Sequence, residues 1–394
     1  MGIKYFSRLL KQCRQAILHY PISAFKGQKI AIDLLGMGYS YWSIAHREIV
    51  NNLDILTEEP DEDITRELFY QLIKEFLNKL LSNEITPIFV IDGDGKHSDE
   101  KAKHTKAKRK EDKQKRIDKV QMLKEKLKDP IMVTEKDLKA LKQAYLNNSI
   151  FSRESVGYLI QLLKTLGFPI LRASGLTGEA DKLCAYLCQK GYVSAVFSSD
   201  RDVLIFGAKY IITKFVGTKF NKYTQSKEPH VELISLKAIL EETGLTYRQL
   251  VDVAILAGCD YNEKLPRYGI VRIKNLIKKF GCIEGIMAKG FNVNMTNYKV
   301  CRKYFLKDEG YEGLCQNPDY TLNIDYRVIE DYLKLEAGLK DFSLDHWIER
   351  LILYYQVMRS YKLVPIKIKN NIKYIRIRIR KNNNLTTLEE WCCS

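Results

Sequence analysis

This 394-residue chain contains no apolar run near the roughly 20 residues that a membrane-spanning helix needs. Its opening residues, Met1-Gly2-Ile3-Lys4-Tyr5-Phe6, lack the apolar core and small-residue cleavage site of a secretory signal. Phe6 also stands where a myristoylation signal carries Ser or Thr. A soluble, unsecreted protein with no membrane partner is expected. The nine cysteines are odd in number and scattered, without a C-x-x-C or a zinc-type Cys/His spacing. Cys184 and Cys188, one helical turn apart, read as reduced thiols. The phosphate-cradling G-x-x-x-x-G-K and G-x-G-x-x-G stretches are absent, so there is no sign of ATP hydrolysis. No internal repeat is visible.

What the chain has in excess is positive charge: 64 Lys and Arg against 48 Asp and Glu, a net of +16. Such a balance points to an anionic partner, nucleic acid first. The excess is concentrated. Residues 96–128 hold 14 Lys and Arg against six acids, with no Pro or Gly, and read as a long solvated insert, helical or partly disordered. Residues 351–388 hold nine Lys and Arg and no acid. There, 364–369 and 373–380 alternate apolar with basic residues, the period of a strand, and Asn370-Asn371 between them suits a hairpin turn. A basic face on that hairpin would suit a phosphate backbone, and would equally protect an edge against aggregation.

Between these segments, short apolar runs alternate with helical patterns, the signature of an α/β fold with a mainly parallel central sheet flanked by helices. The clearest strands are 29–32, 87–91 and 193–197. Helices are expected at 64–82, where Ile64, Leu68, Leu72, Phe76 and Leu80 recur every four residues, and at 154–166 and 178–190.

The three strands run respectively into Asp33, into Asp92-Gly93 and, through two serines, into Asp200-Arg201-Asp202. Taken singly, each acid reads as a helix cap or loop residue. In an open parallel sheet, however, ligands bind at the carboxyl ends of the strands, where distant parts of the chain converge. Grouped carboxylates there repel one another unless a cation lies among them. Glu179 and Asp181 open a helix after a turn-forming 174–178 segment, and Asp260 follows an apolar helix stopped by Gly258. Seven carboxylates without His or Cys make a hard-cation site, suited to Mg²⁺ or Mn²⁺. Together with a basic surface, they suggest two-metal phosphodiester hydrolysis.

These residues resemble the XPG/flap-endonuclease family of structure-specific 5′ nucleases. The resemblance lies in Met1-Gly2-Ile3-Lys4, Ala31-Ile32-Asp33, Phe89-Val90-Ile91-Asp92-Gly93, Gly178-Glu179-Ala180-Asp181, 199–207 and Ala257-Gly258-Cys259-Asp260-Tyr261, in the family's order, over residues 1 to about 285. It implies a PIN-like nuclease core in which Asp33, Asp92, Glu179, Asp181, Asp200, Asp202 and Asp260 hold two Mg²⁺, with Mn²⁺ able to substitute. It further implies that Tyr39 stacks on a base, that Gly2 lies near the site once Met1 is removed, and that the basic insert is the family's helical arch. Lys101 with Lys108, or Lys106 with Arg109, would then stabilise phosphate charge. Tyr261 to Gly269 and the helix 271–280 resemble a helix–three-turn–helix that grips duplex DNA, with Arg267, Gly269, Arg272 and Lys274 facing it. The family's Gly-x-Gly is here Arg267-Tyr268-Gly269, which puts a K⁺ site in question.

The expected regions are 1–95 (N-terminal nuclease), 96–150 (arch), 151–290 (internal nuclease and DNA-binding helices) and 291–394 (C-terminal extension with a basic hairpin). The resemblance implies a Mg²⁺-dependent nuclease, monomeric and nuclear, that acts on branched or nicked DNA in replication, repair or recombination. No sliding-clamp motif is evident at the C-terminus. Alternatives are an enzyme mainly for Holliday junctions or RNA-containing substrates, and a non-catalytic or activator-dependent DNA-binding protein.

Overall fold

The computed structural model describes residues 3, 6–55, 57–93, 98–127, 134–174, 178–221, 226–259, 262, 264–291, 297–306, 311, 374–381 and 384–392. For 98–109, 165, 219–221, 226 and the last two segments this covers the backbone alone.

A seven-stranded sheet is the centre of the molecule. In chain order its strands are β1 (Ile17–Pro21), β2 (Lys29–Asp33), β3 (Thr86–Ile91), β4 (Ile170–Arg172), β5 (Ala195–Phe197), β6 (Tyr210–Asn221) and β7 (Ser226–Ser235), and their spatial order is β1-β7-β6-β5-β2-β3-β4. The pairs β6–β5, β5–β2, β2–β3 and β3–β4 are parallel; β7 and β1 close one edge antiparallel. The three expected strands are thus present and adjacent. β1, β4, β6 and β7 are additions to the sequence reading.

Period-two alternation divides the sheet's side chains between two faces. Ala31, Ile88, Val90, Val196 and Ile211 share a core with α1 (Phe6–Leu10), α7 (Ala180–Lys190), α9 (Leu236–Thr243), α10 (Tyr247–Ala257), α11 (Ile270–Phe280) and α12 (Ile283–Met287). Ile30, Ile32, Phe89, Ile91 and Phe197 pack with α2 (Leu34–Asn52), α3 (Glu62–Leu81) and α6 (Arg153–Thr165). β3 is buried at all six positions, as a parallel strand covered on both sides should be.

Local chemistry sets the helix ends. Asp61 accepts from the N–H groups of Asp63 and Ile64, so α3 begins two residues before its apolar repeat. Gly191 ends α7 at φ 82°, in the left-handed conformation that glycine adopts without strain. The basic insert forms α4 (Ser98–Lys126), a 29-residue helix. Towards its C-terminal end Val120 and Leu123 pack against Val50 of α2 and Leu141 and Tyr145 of α5 (Glu135–Asn147), and Arg116 donates to the Asn147 carbonyl at 3.0 Å. Lys124 also pairs with Glu59 in the loop after α2.

Beyond α11, the helix α13 (Tyr298–Leu306) is fastened by Arg302. Its Nε and Nη2 donate to the two oxygens of Asp252 at 2.8 Å each, and Nη1 donates to Glu284 at 2.7 Å. The buried Asp252 carboxylate is thereby paired and hydrogen-bonded, the condition under which a charge is tolerated inside.

Of the expected C-terminal hairpin, strand Tyr374–Lys381 is present and pairs antiparallel with Asn384–Cys392, with Arg378 opposite Thr387. The expected partner 364–369 and the turn at 370–371 lie outside the described residues. Alternation in one strand identifies a strand; it does not choose between two flanking partners. No helix among the described residues is long and apolar enough to cross a membrane.

Candidate functional site

The strand register brings the first carboxylates together. Asp33 is the last residue of β2 and pairs with Val90 of β3; Asp92 follows two residues later on that same face. Both leave the sheet on the side covered by α7, whose N-terminus carries Glu179 and Asp181. The loop after β5 adds Asp200, and the short helix α8 (Asp202–Ile205) opens with Asp202. All six line one pocket of about 170 Å³, with Leu35, Gly36, Ala180, Phe206, Cys259 and Phe305. Six of the seven acids singled out from sequence therefore meet at the carboxyl edge of the parallel strands. Asp260 lies outside the described residues, next to the pocket-lining Cys259.

Backbone N–H groups aim most of these side chains. Gly36 N–H donates to Asp33 Oδ1 at 3.1 Å, so Asp33 does cap α2 while it faces the pocket. Ala180 N–H donates to Asp92 Oδ1 at 2.9 Å, Asp202 N–H to Asp200 Oδ1 at 2.9 Å, and Ile3 N–H to Asp202 at 2.9 and 3.1 Å. Ser198, buried at the end of β5, donates to Asp181 Oδ1 at 3.5 Å and accepts from Asp200 N–H at 3.1 Å. Glu179 occupies the cap position of α7 without a side-chain capping bond.

Two glycines make the close approaches possible. A Cβ on Gly36 would stand 2.0 Å from Asp33 Oδ2, and one on Gly93 would stand 1.7 Å from the Ala173 carbonyl oxygen. Gly93 N–H also donates to Gly178 O at 2.9 Å, tying the Asp92 turn to the segment before α7.

The electrostatics are those of crowded acids, with Asp33 the one most shielded from water. Burial pushes the Asp33 carboxyl up to about 6, and the charges of Asp92 and Asp200 push the same way against the Gly36 hydrogen bond. Asp181 is held well above the ordinary carboxylate range, by burial first and then by Asp33, Asp200, Glu179 and Asp202. A cation among them would reverse these repulsions. By chemistry the all-carboxylate donor set fits a hard divalent ion. By position, no three acidic, His or Cys side chains among the described residues are grouped closely enough to hold one ion together.

The other expected residues divide. Tyr39 lies on α2, half exposed at 52%, free to present its ring. Arg267 is exposed with φ 66°, so an arginine occupies the left-handed backbone conformation that favours glycine. Gly269 precedes α11 in extended conformation, and Arg272 is exposed on that helix. Lys274 instead donates to Gln12 at 3.1 Å. Lys101, Lys106, Lys108 and Arg109 all fall within α4, of which only the backbone is described there, and Gly2 lies outside the described residues. The sequence reading missed Phe206, Phe305, Cys259 and Ser198. The signal for Ser198 was its place two residues after Val196 on the α7 face.

An XPG N-terminal domain family model matches residues 1–116, and an XPG I-region model matches residues 167–260, together more than half of the chain. The chain belongs to the XPG/flap-endonuclease family. It is 28% identical over 361 residues to flap endonuclease 1 of Entamoeba histolytica, covering 89% of this chain and 87% of that protein. It is 30% identical over 358 residues to flap endonuclease 1 of Babesia bovis, covering 89% of this chain and 48% of that protein. Among solved structures, flap endonuclease-1 from Methanococcus jannaschii superposes with a TM-score of 0.52 at 21% identity, over 89% of this chain and 99% of that one. The Holliday junction-resolving enzyme GEN1, in complex with product DNA and a Mg²⁺ ion, gives 0.55 at 18% identity, over 94% and 86%. The PIN-like nuclease fold expected from sequence is the fold of this chain.

Proposed function

We propose that this protein is a divalent-metal-dependent, structure-specific nuclease that hydrolyses phosphodiester bonds in branched DNA, cutting at 5′ flaps, nicks and 5′ ends. The observation that carries the reading is the convergence of Asp33, Asp92, Glu179, Asp181, Asp200 and Asp202 on one pocket at the carboxyl edge of the sheet. Asp260 completes the set by resemblance. Two Mg²⁺ would be held by these seven residues, with Mn²⁺ as substitute. When bound, the ions supply Lewis acidity at the phosphoryl oxygen and an activated water.

The chain's own part is to position and to hold. Buried strands fix Asp33 and Asp92, and backbone amides orient Asp92, Asp200 and Asp202. Exposed Arg272 and Arg267 would contact duplex phosphates without reading sequence. Lys and Arg of α4, with Lys101, Lys106, Lys108 and Arg109 first, would steady the 5′ strand's charge, and Tyr39 would stack on a base near the cut. The division into 1–95, 96–150, 151–290 and 291–394, a monomeric state and action in the nucleus belong to the same proposal.

The test is cleavage of a 5′-labelled double-flap DNA in Mg²⁺, with a blunt duplex, a four-way junction and an RNA:DNA hybrid alongside and EDTA as control. Incision at the flap base that EDTA abolishes is the expected result. Tight flap binding with no incision in either Mg²⁺ or Mn²⁺ would overturn the catalytic reading, and faster turnover of the junction would overturn the substrate preference.

A further inference from the structure

The residue that ends β5 on the α7 face is a serine, and its surroundings give it a task. In the sheet Ala31 pairs with Val196 and Ile32 with Phe197. Alternation therefore puts Asp33, two residues after Ala31, and Ser198, two residues after Val196, side by side on the face beneath α7. Where β2 and β3 deliver carboxylates to this edge, β5 delivers a hydroxyl, and it is 1% exposed. A further acid here would add one more like charge to a group already pushing Asp33 and Asp181 upward.

We propose that Ser198 is a positioning residue for the nuclease reaction: its hydroxyl joins the Asp181 carboxylate of α7 to the Asp200 backbone of the β5–α8 loop and so fixes the distance between the two halves of the acidic site. A hydroxyl has one proton to give and lone pairs to receive. Ser198 uses both, donating to Asp181 Oδ1 at 3.5 Å and accepting from Asp200 N–H at 3.1 Å. Asp200 in turn accepts from Asp202 N–H, and Asp202 from Ile3 N–H. The chain of bonds thus runs from α7 through Ser198 to the amino-terminal segment. Ser198 gives the Asp181 carboxylate a neutral hydrogen-bond partner that adds no charge to the cluster. The inference rests on Asp181 and Asp200 being metal-binding residues.

Outer partners of ligating carboxylates change metal affinity by about 10–100-fold when removed. The test compares Ser198→Ala, Ser198→Thr and Ser198→Val. Thr keeps the hydroxyl, and Val has nearly the same shape without it. Mn²⁺ binding to the DNA-free protein is measured by titration calorimetry, and the Mg²⁺ concentration for half-maximal flap cleavage is measured alongside. Flap binding in EDTA reports whether each variant is folded. The expected result is about a 10-fold or larger loss of Mn²⁺ affinity in Ser198→Ala and Ser198→Val, a matching rise in the Mg²⁺ requirement, recovery in Ser198→Thr, and unchanged binding in EDTA. Wild-type Mn²⁺ affinity in both Ala and Val variants, or a Thr variant as weak as Val, would overturn the proposal. Asp200→Ala separates the two failures. If its Mn²⁺ isotherm matches wild type, the metal reading itself falls; if it loses affinity while Ser198→Ala and Ser198→Val do not, only the serine's role falls.

Discussion

The carboxylate edge and the basic helix α4 are both assigned to the DNA-handling surface, and they are built in opposite ways. Asp33 and Asp92 sit at the ends of strands buried within the sheet, the other acids at or just before the starts of α7 and α8 beside them, and Asp33 is itself only 8% exposed. Their spacing follows from strand register, and their charge is unfavourable until something positive arrives. Over its described side chains, 110–126, α4 carries its charge mostly in the open. Its only buried apolar side chains among those described are Val120 and Leu123, near the end that meets α2 and α5. A site that must place atoms to a fraction of an ångström is set into the sheet. A surface that must attract a polyanion over a Debye length needs charge density more than exact placement.

That contrast can be broken at several points. The largest effect belongs to Asp33→Asn. Cleavage should fall by more than the ~100-fold that outer-partner changes cost, while the metal-free protein becomes more stable. The sign follows from the raised carboxyl. Folded Asp33 holds its proton up to about pH 6, whereas the unfolded residue releases it near its ordinary value, so stability present at low pH is lost as pH rises through about 6. Removing the charge should restore about 3 kcal/mol above pH 6 and nothing below about pH 4, read by urea unfolding in EDTA. The wild type's Mn²⁺ affinity should likewise fall as pH drops through about 6, because binding must displace the Asp33 proton.

Gly93→Ala comes next. A methyl 1.7 Å from the Ala173 carbonyl cannot be accommodated without moving the backbone that aims Asp92. A loss of about 3 kcal/mol and a drop in activity are expected, from thermal unfolding and flap cleavage. On the basic side, Leu123→Ala should cost about 2–3 kcal/mol of local stability and loosen α4, seen as faster hydrogen exchange over 110–126 with the sheet unchanged. Arg267→Gly is the smallest. It relieves a left-handed arginine by about 1 kcal/mol and removes one cation, so the protein gains stability while flap binding weakens and its salt slope between about 50 and 200 mM becomes shallower.

The same contrast explains what could be read from sequence. Strands β2, β3 and β5 were legible because a strand covered on both sides is an apolar run, and an acid immediately after such a run is conspicuous. β6 and β7 were not: their segment mixes Lys214, Gly217 and Pro229 with register shifts after Ile212 and Phe215, and no clean alternation survives. β1 is an edge strand with three exposed central residues, which leaves little hydrophobic pattern. The C-terminal hairpin was half legible, since Ile-Arg alternation marks one strand while the choice of partner depends on which neighbour can pair. Ser198 was passed over because a serine after a strand reads as a turn residue; only the register with β2 shows that it stands beside Asp33. The individual arch lysines could not be ranked because nothing periodic distinguishes one exposed lysine from the next.

The measurement that tests the account most directly is single-turnover cleavage of a 5′ flap by Asp200→Ala, with flap affinity measured in EDTA beside it. The account predicts wild-type affinity, because the basic surfaces are untouched, and cleavage lost by more than ~100-fold. A variant that still cut the flap at the wild-type rate would contradict the assignment of the carboxylate edge to the chemistry.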